Sequence, residues 1–252
     1  MTRYSFKIFC VAFSACFCCA GSLLAEDNNP HTDKMMNEKL NLTQEWDKVF
    51  PKSDKVTHRK VSFRNRYGIM LAADLYMPRN VNGKLPAIAV SGPFGAVKEQ
   101  SAGLYAQTMA ERGFLTIAFD PSYTGESGGF PRYVASPDIN TEDFCAAVDY
   151  LSTRDDVDSE RIGIIGICGW GGMAVNAAAI DTRIKATVTS TMYDMSRVNA
   201  NGYFDAMDAD ARYELRKQLN AQRTADAKSG SYALAGGVPD PLPADAPGFV
   251  KD

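Results

Sequence analysis

Hydrophobic and polar positions alternate in the first part of the folded region and then give way to longer apolar runs. The stretches VTHRKVSF and IMLAADLYM, on either side of RNRYG, have the alternating or β-rich pattern of a hairpin. Further strands are predicted at LPAIAVSGPFG, FLTIAFD, RIGIIGI and RIKATVTST. The segments between them have helical spacing: EQSAGLYAQTMAERG, DINTEDFCAAVDYLSTR and MAVNAAAI. This order predicts an α/β fold with a mostly parallel sheet preceded by an antiparallel hairpin.

The same pattern divides the chain into regions. Residues 55–195 are predicted to form the α/β core with six strands, and residues 26–54 read as a polar N-terminal extension. From residue 196 to 252 the chain has a polar helical stretch, DADARYELRKQLNAQRTADAK, followed by a proline-rich segment. We expect this last region to begin a cap or insertion over the core.

The first 25 residues have the composition of a targeting segment. Arg3 and Lys7 precede IFCVAFSACFCCAGSLLA, which carries no charge and ends before Glu26. This arrangement predicts a secretory signal peptide and a secreted or periplasmic protein with no stable membrane span after cleavage. Two alternatives remain: a membrane anchor, since about 18 uncharged residues approach the length of a span, and a lipid anchor, since residues 13–16 loosely resemble the box before a lipidated cysteine.

Composition excludes several classes of function. The chain has 252 residues, 45% of them hydrophobic, and a net charge of −3 without a basic face, which argues against a nucleic-acid partner. Four of the six cysteines fall in the first 25 residues, so a disulfide framework is not expected. The cysteines that remain are Cys145 and Cys168, and the histidines are His31 and His58. We therefore expect neither a metal bound by Cys and His nor a cofactor.

The most specific motif is GICGWGG, residues 166–172, between a predicted buried strand and a predicted helix. A nucleophile between small residues at such a turn is held in a strained conformation, and the helix N-terminus favours a thiolate and an oxyanion. Gly166 satisfies the motif two residues before Cys168, whereas Trp170 departs from it two residues after. The alternative is a buried structural cysteine.

With these residues the sequence resembles the α/β-hydrolase family, in particular dienelactone-hydrolase-like and Xaa-Pro dipeptidyl-peptidase-like bacterial proteins. The resemblance rests on residues 166–169, 91–95 and 120–127. It implies that Cys168 attacks an ester, lactone, thioester or peptide carbonyl of a small-molecule or peptide substrate. It also implies an oxyanion hole formed by the N–H of Gly169 and by that of Phe94 or a neighbour, although Pro93 has no N–H to donate.

The resemblance also implies an acid and a histidine after the nucleophile. No histidine follows Cys168 in this sequence, and His31 and His58 lie in the polar leader and the first strand of the hairpin, where a base is not expected. Asp194 is the candidate acid, with a helix N-cap as its alternative role. Since general-base help contributes about two to four powers of ten, we expect impaired turnover. We also expect that the chain is truncated and lacks the last two strands of the fold.

Two other functions fit parts of the sequence. Gly169, Gly171 and Ala174 match the spacing G-x-G-x-x-A of a dinucleotide-binding turn, with Asp194 after the next strand. However, this turn does not open the fold, and an exported protein rarely meets NAD. The other alternative is a non-catalytic, secreted binding protein derived from a hydrolase.

Overall fold

The computed structural model describes residues 39–235, which form one six-stranded sheet with helices on both faces. The strands are β1 (Val56–Arg64), β2 (Met70–Pro78), β3 (Leu85–Ser91), β4 (Leu115–Phe119), β5 (Val157–Ile167) and β6 (Ile184–Ser190). They lie in the order β1-β2-β4-β3-β5-β6. β1 and β2 form an antiparallel hairpin, β2 pairs antiparallel with β4, and β4, β3, β5 and β6 are parallel. The predicted α/β fold, with its hairpin and six strands, is confirmed.

Five α-helices accompany the sheet in the part of the chain that the structure describes. They are α1 (Ser101–Ala110), α2 (Pro137–Ser152), α3 (Trp170–Ile180), α4 (Met195–Asn201) and α5 (Ala209–Ser229), with a 3₁₀ turn at Tyr203–Asp205. Proline in the first turn and the carboxylate of Asp138 favour the start of α2. α3 begins three residues before the predicted MAVNAAAI, because the preceding glycines lie in its first turn. α4 was not predicted, since its seven residues have no apolar period.

The core lies on both faces of the central strands. Along β4, the side chains of Leu115, Ile117 and Phe119 pack into the cluster beneath α2 and α3, and Ala118 packs into the cluster beneath α1. A strand buried on both faces needs apolar residues at every position, which explains the continuous apolar run in its sequence. The C-terminal ends of β3, β4, β5 and β6 meet at one edge of the sheet, where loops can assemble a site.

Part of the predicted N-terminal extension packs on this core. Phe50 is buried in the cluster beneath α1, and the indole N–H of Trp46 donates to its carbonyl at 3.0 Å. Lys48 contacts the buried Asp74 on β2 at 2.8 Å. Residues 46–50 therefore belong structurally to the folded core.

The other terminal predictions fall partly outside the structure. The predicted signal peptide, residues 1–25, and the last part of the predicted cap, residues 236–252, lie outside the described residues. Within the described part of the cap, α4 and α5 bury no residue. No helix among the described residues is both long enough and apolar enough to cross a membrane.

Candidate active site

Cys168 and Gly169 form the whole connection between β5, which ends at Ile167, and α3, which begins at Trp170. Cys168 has a φ of +58°, a left-handed conformation that is uncommon outside glycine. Three backbone hydrogen bonds hold it there: its N–H donates to the carbonyl of Ser190 at 2.9 Å, and its carbonyl accepts from the N–H groups of Gly171 at 2.9 Å and Tyr193 at 3.2 Å. A strained residue fixed from both sides is typical of a functional turn.

The small residues of the turn are required by close backbone contacts. A Cβ at Gly166 would lie 2.3 Å from the carbonyl oxygen of Trp170, and a Cβ at Gly172 would lie 2.9 Å from that of Tyr193. At residue 170 the close contact with β5 is made by the backbone, so the side chain can be large. The indole is 3% exposed and packs edge-to-face with Phe94, with ring centroids 4.5 Å apart. This explains how Trp170 can replace the glycine of the usual motif.

Cys168 lies at the C-terminal edge of the parallel strands, where the sequence predicted a nucleophile. Its side chain is half-buried and packs beside the apolar cluster under α1. The other cysteine in residues 39–235, Cys145 on α2, is also half-buried, and burial raises the pKa of its thiol to about 11. The two thiols are not disulfide-bonded. Cys168 thus combines a strained backbone with partial access to solvent.

The loop after β3 packs directly on this turn. A Cβ at Gly169 would lie 2.3 Å from Cδ2 of Phe94, so the Phe94 ring rests on the backbone of residue 169. A Cβ at Gly92 would lie 2.4 Å from the carbonyl oxygen of Ile167, and the φ of +98° at residue 92 also favours glycine. In the described part of the chain, the N–H groups of Phe94 and Gly169 donate to no acceptor. Neither predicted oxyanion donor is therefore used by another group among the described residues.

A buried charge cluster joins the loop after β3 to the loop after β4. The ammonium of Lys98 contacts Glu99 at 2.5 Å, Asp120 at 2.9 Å and Glu126 at 2.6 Å. The N–H groups of Lys98 and Glu126 also donate to Asp120, at 2.8 and 2.9 Å. Burial by itself would lower the pKa of Lys98, but the three carboxylates outweigh that effect and raise it well above its ordinary value. The cluster thereby fixes the two loops relative to each other.

The three carboxylates of this cluster are close enough to hold a metal ion, since ligand atoms of Glu99, Asp120 and Glu126 lie within 4.8 Å of one another. The ammonium of Lys98 contacts all three, and Lys60 contacts Glu126 at 2.7 Å. The cations that compensate these charges are therefore lysines. The sequence does not predict this cluster beyond the turn at residues 120–127, because a lone lysine after a loop gives no periodic signal.

Two cavities flank the turn. One, of about 220 Å³, is lined by Pro137, Gly169, Gly172, Met173, Val175, Asn176, Met192, Asp194, Met195 and Ser196. The other, of about 480 Å³, is lined by Phe94, Gly95, Val97, Thr124, Gly125, Arg132, Tyr133, Val134, Ala135 and Trp170. Gly169 and Phe94, which are in contact, each line one of them. Gly169 and Phe94, the predicted oxyanion donors, therefore lie between the two cavities.

Asp194 caps α4. Its carboxylate accepts hydrogen bonds from the N–H of Arg197 at 2.9 Å and from the hydroxyl of Ser196 at 2.7 Å. These bonds lower the pKa of Asp194, which is exposed. The N-cap role that the sequence offered as an alternative is thus present in the structure. The role of Asp194 as an acid partner stays a prediction, and its place in the wall of the smaller cavity keeps it near Gly169.

His58 lies far from the turn. It is on β1, four strand positions from β5, which corresponds to roughly 19 Å at the usual strand spacing. Its Nε2 is 2.8 Å from Oδ1 of the buried Asp74, and its ring packs between Trp46 and Tyr76. His31 lies outside the described residues. Among residues 39–235, the structure therefore brings no histidine to Cys168.

Comparisons with known proteins show the family of the chain. Residues 67–235 match the X-Pro dipeptidyl-peptidase (S15 family). The uncharacterized protein PA2218 of Pseudomonas aeruginosa is 68% identical over 198 residues, which are 78% of this chain and 53% of that protein. Its crystal structure superposes with a TM-score of 0.77 at 65% identity, covering 81% of this chain and 66% of the other. The chain thus spans about half the length of this curated relative.

Two fungal proteins extend the comparison. The thiohydrolase aneE of Aspergillus aculeatus is 32% identical over 137 residues, which are 54% of this chain and 42% of that protein. The crystal structure of the alpha/beta hydrolase GrgF from Penicillium sp. sh18 gives a TM-score of 0.57 at 21% identity. That match covers 71% of this chain and 57% of GrgF, and it indicates a shared fold.

Proposed function

The chain belongs to the X-Pro dipeptidyl-peptidase (S15) family and has the α/β-hydrolase fold, and from this premise we propose that Cys168 is the nucleophile of a hydrolase acting on acyl esters or thioesters. The observation that carries the proposal is the strained cysteine between β5 and α3, with a φ of +58°, beside the unpaired N–H groups of Gly169 and Phe94. The thiohydrolase aneE supports thioesters within the substrate class. Lactones and peptides have the same reacting carbonyl and stay within the proposal.

In the first step, the thiol of Cys168 loses its proton to solvent and the thiolate sulfur attacks the carbonyl carbon. The carbonyl electrons move to oxygen, where the N–H groups of Gly169 and Phe94 stabilise the negative charge. The tetrahedral intermediate collapses, the bond to the alcohol or thiol leaving group breaks, and that group takes a proton from water. Hydroxide or water then cleaves the acyl-sulfur bond and regenerates the thiol.

The second step is proposed to be slow in this chain. A general base normally contributes about two to four powers of ten, and no histidine follows Cys168 in the sequence. Asp194 is proposed as the acid partner, because this residue lines the same cavity as Gly169. Acylation of Cys168 should therefore outpace its hydrolysis, and a burst of product should precede slow turnover.

The experiment follows release of 4-nitrophenol from 4-nitrophenyl acetate, and of thiol from a matched acetyl thioester. The wild type and Cys145→Ala should show a burst close to one equivalent, and Cys168→Ala should show none. Added imidazole should then accelerate the slow phase only in proteins that retain Cys168. An equal rate in Cys168→Ala, corrected for the reaction of imidazole itself, would refute the assignment of Cys168.

A non-catalytic binding protein is the second candidate function, favoured by the location of His58 on the opposite part of the sheet. It predicts ligand binding without a burst. The dinucleotide-binding alternative has less support, because protein atoms cover the glycine-rich turn: a Cβ at Gly171 would lie 2.8 Å from Cγ of Met192. A pyrophosphate needs open space at that glycine.

We also propose that residues 1–25 direct export to a secreted or periplasmic location, with a lipid anchor as the alternative. The charge pattern of Arg3 and Lys7 before an uncharged stretch supports this proposal. Mass spectrometry of the protein from a Gram-negative host would test it. A mature N-terminus at Glu26 supports a cleaved signal, an acylated Cys16 supports the anchor, and an intact Met1 in the cytoplasm contradicts both.

A further inference from the structure

Arg132 lines the larger cavity beside the turn and is the one charged residue among those that line it in the described part of the chain. The cavity, of about 480 Å³, has aromatic, aliphatic and glycine residues over most of its wall. Trp170, which begins α3, and Phe94, which contacts Gly169, both belong to that wall. A group bound near Arg132 is therefore in the same cavity as residues of the proposed site.

The guanidinium of Arg132 is held by backbone carbonyls. Nη1 donates to the carbonyls of Ser127 at 2.5 Å and Gly129 at 3.3 Å, and Nη2 donates to that of Gly125 at 2.7 Å. Within residues 39–235, no carboxylate lies within 4.0 Å of it. The carbonyls orient the side chain but carry no net charge, so the guanidinium of Arg132 has no carboxylate partner within 4.0 Å among the described residues.

Two of the five N–H groups of Arg132 donate to nothing in the described structure. They are Nε–H and one hydrogen on Nη2, because the other three make the carbonyl bonds. Other arginines in this chain use Nε and Nη2 together to bind a carboxylate. Arg154 binds Asp156 in this way at 2.8 and 2.6 Å, and Arg183 binds Asp181 at 2.9 and 2.6 Å. The chemistry that fits the unused donors of Arg132 is therefore a carboxylate.

We propose that Arg132 is a specificity residue that binds a carboxylate carried by the substrate, so that the enzyme prefers half-esters or half-thioesters of dicarboxylic acids. This inference rests on the proposed function, since it names a substrate class for the same site. The apolar wall of the cavity accommodates the methylene chain between the two ends of such a substrate. The reacting carbonyl lies at the oxyanion donors, and the second carboxylate lies at Arg132.

The binding test uses Cys168→Ala, which cannot turn a ligand over. Its affinity for monomethyl glutarate is compared by calorimetry with that for the neutral amide of the same shape, methyl glutaramate. The expected result is tighter binding of the carboxylate by about tenfold or more, as for a hydrogen-bonded charged group. In Cys168→Ala with Arg132→Gln this preference should disappear, and added salt should weaken it only when Arg132 is present.

Two further variants distinguish binding of the carboxylate by Arg132 from stabilisation of the loop that contains Arg132. Arg112→Gln on the exposed surface removes the same net charge and should leave the preference unchanged. Arg132→Lys keeps the charge but loses the planar set of donors, and should retain only part of the preference. If Arg132 merely stabilised the loop, Arg132→Gln would weaken carboxylate and amide equally, and the proposal would be wrong.

The outcome is separable from that of the proposed function. Binding to the Cys168→Ala variants requires no reaction at residue 168, so the carboxylate preference can be found even if no burst occurs with esters. Conversely, a burst with neutral esters and equal binding of glutarate and glutaramate would retain the nucleophile and overturn the role of Arg132. Where turnover is measurable, Arg132→Gln should reduce kcat/KM for 4-nitrophenyl hydrogen glutarate about tenfold or more, and that for its amide little.

Discussion

The ring of Phe94 rests directly on the backbone of Gly169, because a Cβ at residue 169 would lie 2.3 Å from Cδ2 of that ring. The contact joins the loop after β3 to the turn after β5. It also sets the distance between the two N–H groups that are proposed to bind the oxyanion. The contact thereby links the two segments that carry the proposed oxyanion donors.

A methyl group at residue 169 should disrupt this contact. Gly169 has φ −58° and ψ −29°, which alanine adopts without strain, so the effect of Gly169→Ala is steric. We expect a loss of about 1–3 kcal/mol in the free energy of unfolding, measured by urea denaturation. Phe94→Leu in the same chain should restore part of it, with a coupling energy of about 0.5 kcal/mol or more. Purely additive effects would show that the two residues do not touch.

Lys98 should be essential to the stability of the loops after β3 and β4. Its ammonium compensates Glu99, Asp120 and Glu126, and its side chain is completely buried. Lys98→Met leaves these carboxylates with less compensation, and we expect a loss of about 3–5 kcal/mol in stability. Glu126→Gln added to Lys98→Met should recover part of the loss. Lys84→Met, at an exposed lysine, is the matched control, and an equal effect of the two single variants would contradict the assignment.

Ionised Asp47 should stabilise the fold at neutral pH, and this stabilisation should be lost in acid. Its carboxylate contacts Lys48 and Lys60, each at 2.5 Å. Burial by itself would raise its pKa, but the two lysines lower it from 3.8 to about 2. A depressed carboxyl pKa contributes stability above its unfolded value, and this contribution is lost as the pH falls from about 4 towards 2.

The measurement compares urea midpoints of the wild type and Asp47→Asn at neutral pH and at about pH 2. The wild type should be more stable at neutral pH, and the difference should shrink at the lower pH. Asp155→Asn, which removes a carboxylate at an exposed position, is the matched control. A difference between wild type and Asp47→Asn that is constant with pH would mean that Asp47 does not titrate as described.

Much of the fold could be predicted from the pattern of residues. The continuous apolar run at β4 predicted a strand buried on both faces, and the alternation in β1 predicted a strand buried on one face. Each kind of burial requires its own pattern of apolar residues. The turn at Cys168 was predicted for the same kind of reason, since close backbone contacts at Gly166 admit no side chain. These features depend on neighbouring residues along the chain.

The features that sequence analysis missed depend on contacts between distant residues. Lys98 and Asp120 are 22 positions apart, and nothing in the sequence around either shows that one neutralises the other. The guanidinium of Arg132 is held by backbone carbonyls. Every residue has such a carbonyl, so this contact gives no signal in the sequence. The packing of Phe50 on the core was also missed, because a single aromatic residue in a polar segment has no period.

Trapping the acyl form of Cys168 would show whether this residue is the nucleophile. The full chain is incubated with 4-nitrophenyl acetate, quenched in acid during the burst, digested, and analysed by mass spectrometry. We expect an acetyl group on the peptide containing Cys168, much less on that containing Cys145, and none at residue 168 in Cys168→Ala. An unmodified Cys168, or acetylation of Cys145 at the same rate, would contradict it.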